Sequence, residues 1–289
     1  MILDYNITPP VESILKHYHP YPEHLQNYKR IYGKTSEKAE SGRFEGKPLD
    51  VFLNFLDGLG ITRFVVKARD IETTFGLKIP NESIAELVRS YPDRVIGIAG
   101  ADPHKGSEAV RELDHAVRNL GLKGLNLQLY ELKLIASDRK LYPLYEKCCE
   151  LGVPINIHVS VNFANRISLK YGHPIHLDQV AIDFPDLTLI ASPPGWPWVH
   201  ELIAVAWRHP NVYIGLNSMR PKLLMKPGSG YEPLFTYGNG VLQDKMIFGS
   251  GWPLLPLEQT LSEIRSLPWR PQVLTKLLWD NAARVFGIA

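Results

Sequence analysis

The chain has 289 residues, of which 45% are apolar and 21% charged, and its formal net charge is +2. This length and composition suit a globular protein with a sizeable core, and one α/β barrel needs ~250 residues. The balanced charge and the lack of a dense Lys/Arg cluster argue against nucleic acid or an anionic membrane as partner. No apolar run approaches the ~20 residues of a membrane-spanning helix.

The compartment can be inferred from the N-terminus and the cysteines. The opening "MILDYNITPP" has no basic region followed by an apolar one, so we expect no signal peptide. Cys148 and Cys149 are adjacent in a helical stretch and are poor disulfide partners for each other. We therefore predict a cytoplasmic protein.

Short β-rich runs alternate with helical patterns along the chain. Several of these runs are continuously apolar, as expected of parallel strands that are covered on both faces. The predicted strands are Ile2–Tyr5, Arg63–Lys67, Val95–Ala99, Gly124–Gln128, Pro154–His158, Leu187–Ala191, Val212–Leu216 and Met246–Gly249.

Amphipathic stretches separate these strands. In "NESIAELVRSYP" the apolar residues recur at helical spacing from Ile84 to Tyr91, and "SEAVRELDHAVRNLG" repeats the pattern. Eight βα units in one chain of this length favour a closed (β/α)₈ TIM barrel over an open doubly wound sheet. We predict a single barrel domain over residues 1–289.

The irregular segment 7–48 lies between the first strand and the first barrel helix. It is rich in proline, tyrosine and charge, and we predict that it forms an excursion, partly helical, over the carboxyl ends of the strands. His17, His19 and His24 fall within it, and their loop context favours surface or lid positions.

An ordered set of motifs runs along the chain: "GIAGADPH", "GLKGLNL", "PINIHVS", "FPDLTLIAS…GWPWVHEL", "HPNVYIGLNS", "MIFGSGWPLLP" and "WDNAARVFGI". In these the sequence resembles the amidohydrolase-related (amidohydrolase 2) barrels, which include aminocarboxymuconate-semialdehyde decarboxylase and related metal-dependent decarboxylases and hydrolases. The resemblance covers nearly the whole chain. It implies hydrolysis or decarboxylation and a homodimer.

The resemblance also implies metal ligands, and most of their positions have changed in this chain. Family members open with Asp-x-His-x-His, whereas Asn6 and Thr8 stand at the two histidine positions here. The histidine of the fifth strand is kept as His158, and the aspartate of the eighth strand falls on Gly251. We interpret Gly251 as leaving room for substrate beside Trp252.

The family's histidine of the sixth strand falls on Ser192 or Pro193, depending on how the turn is aligned. Zn²⁺ needs ~3–4 imidazole, thiolate or carboxylate ligands at one point, and neutral amides and hydroxyls are weak substitutes. We therefore predict that the chain uses no metal and no other cofactor. The alternative is a relocated metal site built from His104, Asp70 or Asp102.

His158 is the strongest catalytic candidate because it ends a predicted strand, where barrel enzymes place their working residues. We predict that it is a general acid or base and that Asn6 and Asn217 orient the substrate. The alternative is a relic whose ring is hydrogen-bonded inside the barrel.

Five further residues are predicted to bind the substrate. Lys67 would hold an anion, although a structural ion pair at this strand end is an equal alternative. Trp252 is a candidate for an apolar wall, whereas Trp196 and Trp198 are better explained by packing. The full set of predicted substrate contacts is Tyr5, Lys67, Asn126, Ser192 and Trp252.

These residues favour a metal-independent hydrolase or lyase that acts on a small carboxylated or cyclic molecule. One alternative is a catalytically inactive barrel that binds a ligand or serves as a partner subunit. Another is a metal-dependent hydrolase or decarboxylase with a relocated site. A serine nucleophile is disfavoured, because no Gly-x-Ser-x-Gly elbow surrounds Ser160, Ser192 or Ser250.

Overall fold

Eight parallel strands form one sheet that curls into a nearly closed barrel, in a computed structural model that describes residues 1–16 and 42–288. The predicted TIM barrel is confirmed. A separate two-stranded antiparallel hairpin follows the second barrel strand. The strands are β1 Ile2–Asp4, β2 Ile61–Lys67, β3 Arg69–Ile71, β4 Leu77–Ile79, β5 Val95–Gly100, β6 Leu125–Leu127, β7 Ile155–Ile157, β8 Leu189–Ala191, β9 Val212–Leu216 and β10 Met246–Phe248.

Helices cover the outside of the barrel and connect its strands. Their apolar faces pack on the outward side chains of the sheet in one large core. The helices are α1 Glu12–Leu15, α2 Leu49–Leu59, α3 Glu72–Phe75, α4 Asn81–Ser90, α5 Ser107–Arg118, α6 Leu129–Leu132, α7 Tyr142–Leu151, α8 His176–Asp183, α9 Val199–Arg208, α10 Glu232–Gly238, α11 Leu257–Ser266, α12 Pro271–Thr275 and α13 Asn281–Phe286.

The barrel closes between its first and last strands through loop backbone. The Tyr5 amide donates to the Phe248 carbonyl at 2.9 Å, and the Gly251 amide donates to the Asn6 carbonyl at 3.0 Å. These bonds continue the parallel pairing of β2 through β10 around the ring. The residues just after β1 and β10 are therefore fixed side by side.

The lower part of the barrel interior is apolar. Alternate residues of a strand point inward, and here they include Leu3 of β1, Val65 of β2 and Ile247 of β10, each 0% exposed. Phe286 of α13 closes this end, and its ring stacks on Tyr5 with centroids 6.1 Å apart. Because this end of the barrel is closed by packed apolar side chains, the open end lies at the carboxyl ends of the strands.

Asn281 gives the C-terminal "WDNAARVFGI" motif a structural explanation. Its side-chain amide is fully buried and donates to the carbonyls of Gln243 at 2.9 Å and Met246 at 2.8 Å. It thereby ties α13 to the start of β10. No helix among the described residues is both long and apolar enough to cross a membrane.

The hairpin β3–β4 was not predicted from the sequence. It places the buried Asp70 carboxylate between Lys105, at 2.7 Å, and Lys78, at 3.3 Å. Such a carboxylate is held by its two cations and serves the fold. The predicted excursion lies mostly outside the described residues, as do His17, His19 and His24.

Candidate active site

A cavity of about 180 Å³ opens at the carboxyl ends of the strands. Polar side chains from strand ends around the barrel line it, which is the expected place for a TIM-barrel active site. The predicted site residues that line it are Asn6, Lys67, Asn126, His158, Ser192 and Asn217.

Trp252 does not line the cavity, which counts against its predicted contact with substrate. Its side chain is fully buried and packs on the Phe52 ring of α2, with centroids 4.6 Å apart, and on Phe44 at 6.1 Å. Large aromatic side chains supply much apolar area to cores. The indole is part of the packing between the barrel and helix α2.

Tyr5 also lies outside the cavity wall, because it forms the layer beneath it. The ring is fully buried over Phe286, and the phenol donates a short hydrogen bond to the Asn156 side-chain carbonyl. Burial raises the pKa of Tyr5 well above its usual value, so the phenol stays protonated. Its predicted substrate contact is replaced by a supporting role.

A chain of amide side chains crosses the barrel above Tyr5. Asn156 donates to the Asn126 side-chain oxygen at 2.6 Å, and Asn126 donates to the Ala68 carbonyl at 2.8 Å. Gln128 also donates to Asn126, at 3.2 Å. Buried amides that satisfy one another in this way form a rigid polar floor.

A second polar pair lies on the neighbouring strands. The Ser192 hydroxyl donates to the Asn217 side-chain oxygen at 2.7 Å. The Asn217 amide nitrogen is left to face the cavity that this residue lines. The pair can therefore present a fixed donor to a ligand.

Lys67, at the end of β2, is the cation of the cavity floor. Its ammonium nitrogen lies 4.0 Å from the Tyr5 ring centroid, a cation–π contact. Burial lowers its pKa from 10.5 to about 7, and the attraction of Asp4 offsets part of this effect. In the part of the chain that the structure describes, no carboxylate oxygen comes within 4 Å of this nitrogen.

Asp4 is fully buried beside the barrel seam. One carboxylate oxygen accepts from the backbone amides of Asn6, at 2.9 Å, and Ser250, at 3.0 Å. The other oxygen has no hydrogen-bond partner among the described atoms. Burial raises the pKa of Asp4, opposed by these bonds and by the charge of Lys67.

His158 lines the cavity but is only 7% exposed. Its ring lies 4.6 Å from the Tyr130 ring, centroid to centroid, and its Nδ1 atom has no hydrogen-bond partner among the described residues. Burial lowers the pKa of His158 to about 3. The imidazole is therefore neutral near pH 7, which limits it to a hydrogen-bonding role or to that of a weak base.

The charge of the cavity wall is one-sided. Two cations, Lys67 and Arg69, line the described part of the wall, and no aspartate or glutamate does. Arg69 pairs at 3.4 Å with Glu131, whose side chain is fully buried behind the wall. The described wall is suited to an anion.

The turn after β10 does not leave the room that the sequence suggested. Gly251 has φ +74°, and a Cβ built there would lie 2.9 Å from the Ser218 backbone nitrogen. Only glycine adopts this backbone without strain. Gly251 is therefore required by the close approach of two loops.

Several cavity residues were missed or misjudged from the sequence. Asn156 precedes His158 by two residues, and this period-two spacing on β7 would have identified it. Trp196 lines the cavity, although packing was favoured for it, whereas Trp198 packs on His173 at 4.8 Å. No sequence pattern marks Tyr231 for the same wall.

The relocated metal site is not assembled. Asp102 accepts from the amides of Thr73 and His104, and the His104 ring bonds to the Leu132 carbonyl at 2.8 Å. Asp70 is held by its lysines. No group of three or more His, Cys, Asp or Glu side chains that could hold a metal occurs among residues 1–16 and 42–288.

The family model described as Amidohydrolase matches residues 17–288. The chain belongs to the amidohydrolase family. A 78-residue segment is 30% identical to the 2-amino-3-carboxymuconate-6-semialdehyde decarboxylase of Dictyostelium discoideum. That match covers 27% of this chain and 22% of the decarboxylase, so the chain aligns with about a fifth of that relative's length.

Solved structures share the fold over the full chain. An uncharacterised TIM-barrel protein from Bordetella bronchiseptica is 28% identical, with a TM-score of 0.81 and coverage of 99% of this chain and 98% of that one. The 5-carboxyvanillate decarboxylase of Sphingomonas paucimobilis is 16% identical, with a TM-score of 0.70 and coverage of 100% and 99%. A dihydroxybenzoic acid decarboxylase from Polaromonas, solved with manganese and 2-nitroresorcinol, is 15% identical, with a TM-score of 0.68 and coverage of 99% and 96%. These structures share the barrel fold, and the family match supports the prediction of a hydrolase or carboxy-lyase.

The prediction that no cofactor is used is wrong on this comparison. Decarboxylases with this fold were solved with bound manganese, which points to a divalent metal in the family. The side chains described at this cavity, mainly amides, hydroxyls and one imidazole, do not by themselves fit such an ion.

Proposed function

We propose that this chain is a carboxy-lyase or hydrolase that binds a small, ring-derived carboxylate in the cavity at the carboxyl ends of the strands. The observation that carries the proposal is the one-sided charge of the described wall, with Lys67 and Arg69 and no carboxylate. Flat aromatic side chains, among them Tyr130 and Trp196, stand at the same cavity and suit a ring.

Lys67 would hold the carboxylate at the floor. A partly desolvated ammonium without a carboxylate partner in the described chain gains strongly from an incoming anion. The anion would in turn raise the pKa of Lys67 and keep the ammonium charged. Asn6 and the Ser192–Asn217 pair would orient the polar groups of the ring.

Proton transfer would also fall to Lys67 more than to His158. Loss of CO₂ leaves an electron pair on the ring carbon, which must receive a proton. Once CO₂ has left, no substrate carboxylate raises the pKa of Lys67, which returns toward about 7. An acid with a pKa near neutrality can give this proton and recover it from water, and His158 does not meet that condition. The neutral imidazole of His158 would hydrogen-bond the substrate.

The homodimer implied by the resemblance stays a prediction.

The test is CO₂ release from a panel of hydroxylated and methoxylated benzoates, with Mn²⁺ supplied. We expect at least one panel member to turn over, Lys67→Met to lose ~100-fold or more in kcat/KM, and the exposed-site control Lys140→Arg to be unchanged. Failure of every carboxylate to bind in calorimetry would contradict the proposal.

A further inference from the structure

Lys67 differs from the other partly buried lysines of the described chain. Each of four others forms an ion pair with a carboxylate at 2.5–2.7 Å, namely Lys78, Lys105, Lys147 and Lys276. Lys245 is surrounded by backbone carbonyls at the end of α9 and donates to that of Ala206 at 2.6 Å. Among the lysines of the described chain, only Lys67 lines the cavity, and its ammonium lies over the face of an aromatic ring.

The surroundings of Lys67 favour its neutral amine. The Tyr5 ring beneath it offers no proton acceptor comparable to a carboxylate, and the carboxylate of Asp4 acts on it only at longer range. With a pKa of about 7, about three quarters of the amine is neutral at pH 7.5. An ordinary lysine, with a pKa near 10.5, is neutral in roughly one molecule per thousand.

We propose that Lys67 is a nucleophile whose amine forms an imine with an aldehyde or ketone group on a carboxylated substrate. This inference rests on the proposed function and narrows its substrate class to carbonyl-bearing carboxylates. In this reaction Arg69, which lines the wall and pairs with Glu131 at 3.4 Å, would hold the substrate carboxylate while Lys67 reacts as the neutral amine.

The step balances without an oxidant or reductant. The Lys67 Nζ lone pair adds to the carbonyl carbon, the carbonyl oxygen takes a proton, and loss of water leaves a protonated imine. Where the carboxylate is β to that carbon, the bond to the carboxyl carbon breaks and its electron pair moves toward the imine nitrogen. CO₂ leaves, the resulting enamine takes a proton at carbon, and water returns the amine and the ketone.

The polar floor is placed to assist these proton movements. His158 is neutral and lines the same cavity, and the Asn156 amide lies between the Tyr5 phenol and Asn126. Neutral donors and acceptors can support a carbinolamine without holding the amine that forms it in its protonated, non-nucleophilic form. A carboxylate next to Lys67 would instead hold it as an ammonium.

The experiment traps the imine in the full-length protein. The probe is 4-carboxybenzaldehyde with sodium cyanoborohydride at pH 7.5, followed by peptide mass spectrometry. Benzaldehyde is the probe without a carboxylate. Lys67→Arg keeps the charge and removes the nucleophile, and Lys140→Arg is the matched control at an exposed site.

We expect one adduct per chain, on the peptide that contains Lys67, formed at least ~10-fold faster than at any exposed lysine. Benzaldehyde should label Lys67 more slowly, and benzoate should protect it. Label spread over surface lysines, or equal labelling of Lys67→Arg, would overturn the inference. Should Lys67→Arg fail to fold, the site mapped in the wild-type protein still decides.

The same experiment separates the two proposals. If benzoate binds and CO₂ is released from carboxylates while no adduct forms at Lys67, the imine is refuted and the proposed function stands. If neither benzoate nor the panel of carboxylates binds, the proposed function fails as well.

Discussion

The ammonium nitrogen of Lys67 lies 4.0 Å from the centroid of the Tyr5 ring, between the apolar floor of the barrel and the open cavity. The contact joins β1 to β2 at the level where the interior changes from apolar to polar. It places a cation with a lowered pKa where a substrate carboxylate would enter. The expected properties of the site follow from this pair and its neighbours.

The Tyr5 hydroxyl is expected to contribute to stability through Asn156. Tyr5→Phe keeps the ring under Lys67 but leaves the buried Asn156 oxygen without its donor. We expect the free energy of unfolding to fall by ~1–3 kcal/mol, measured by urea denaturation. Benzoate affinity should change little. A large loss of affinity at unchanged stability would show that the hydroxyl contacts the ligand after all.

Anion binding should weaken as pH rises through the pKa of Lys67. The folded pKa is about 7, so the charged form that attracts a carboxylate is present below that value and is lost above it. We expect benzoate affinity, measured by calorimetry, to be flat below pH 6.5 and then to fall by about tenfold per pH unit. Lys67→Arg should show no such fall up to pH 9. A wild-type profile as flat as that of the arginine variant would contradict this assignment.

His158 should make the fold sensitive to acid. The pKa of His158 is about 3 in the folded protein, below the usual 6.5. As pH falls below 6.5, this histidine therefore takes up a proton in the unfolded chain but not in the folded one. From pH 6.5 to 5 this costs about 1.6 kcal/mol of unfolding free energy. Comparison with His158→Asn removes the contribution of other groups such as Asp4. Identical pH slopes for the two proteins would refute the prediction.

Substitutions of Trp252 and Trp196 should have different effects, the first on the free energy of unfolding and the second on ligand affinity. Trp252→Ala removes a fully buried indole from its contacts with Phe52 and Phe44, and we expect a loss of ~3–5 kcal/mol in unfolding free energy. Trp196→Ala, at an exposed position on the cavity wall, should cost little stability and weaken binding of aromatic carboxylates. The reverse pattern in denaturation and calorimetry would restore the sequence-based assignment.

A carboxylate should not be tolerated at position 251. Gly251→Asp needs φ +74° and places Cβ 2.9 Å from the Ser218 nitrogen. We expect a loss of ~2 kcal/mol or more in a urea titration. Gly228→Asp is the matched control, since Gly228 has φ +77° but no atom within 4 Å of a built Cβ. Equal losses for the two variants would show that crowding at Gly251 is unimportant.

The barrel was predictable because its signals are local. Apolar runs located all eight barrel strands, and helical spacing located helices α4 and α5. The β3–β4 hairpin was missed because its six strand residues include Arg69, Asp70 and Lys78, whose charges are paired only in three dimensions. A polar pattern of this kind predicts a loop.

The site was less predictable because burial decides its chemistry. A histidine and a lysine at strand ends were identified from the sequence, but their protonation depends on the surroundings of His158 and Lys67. The sequence pattern also could not tell Trp252, which turns toward α2, from Trp196, which faces the cavity. Side-chain direction in the loops after strands is set by tertiary packing.

The most direct test of carboxylate recognition at this floor is the benzoate affinity of the wild-type protein and of Lys67→Met, measured by calorimetry at pH 6.5. At that pH Lys67 is mostly charged. We predict that the variant, shown to be folded by its thermal transition, binds at least ~10-fold more weakly, a difference of about 1.4 kcal/mol. Equal affinity in the two proteins would contradict the account.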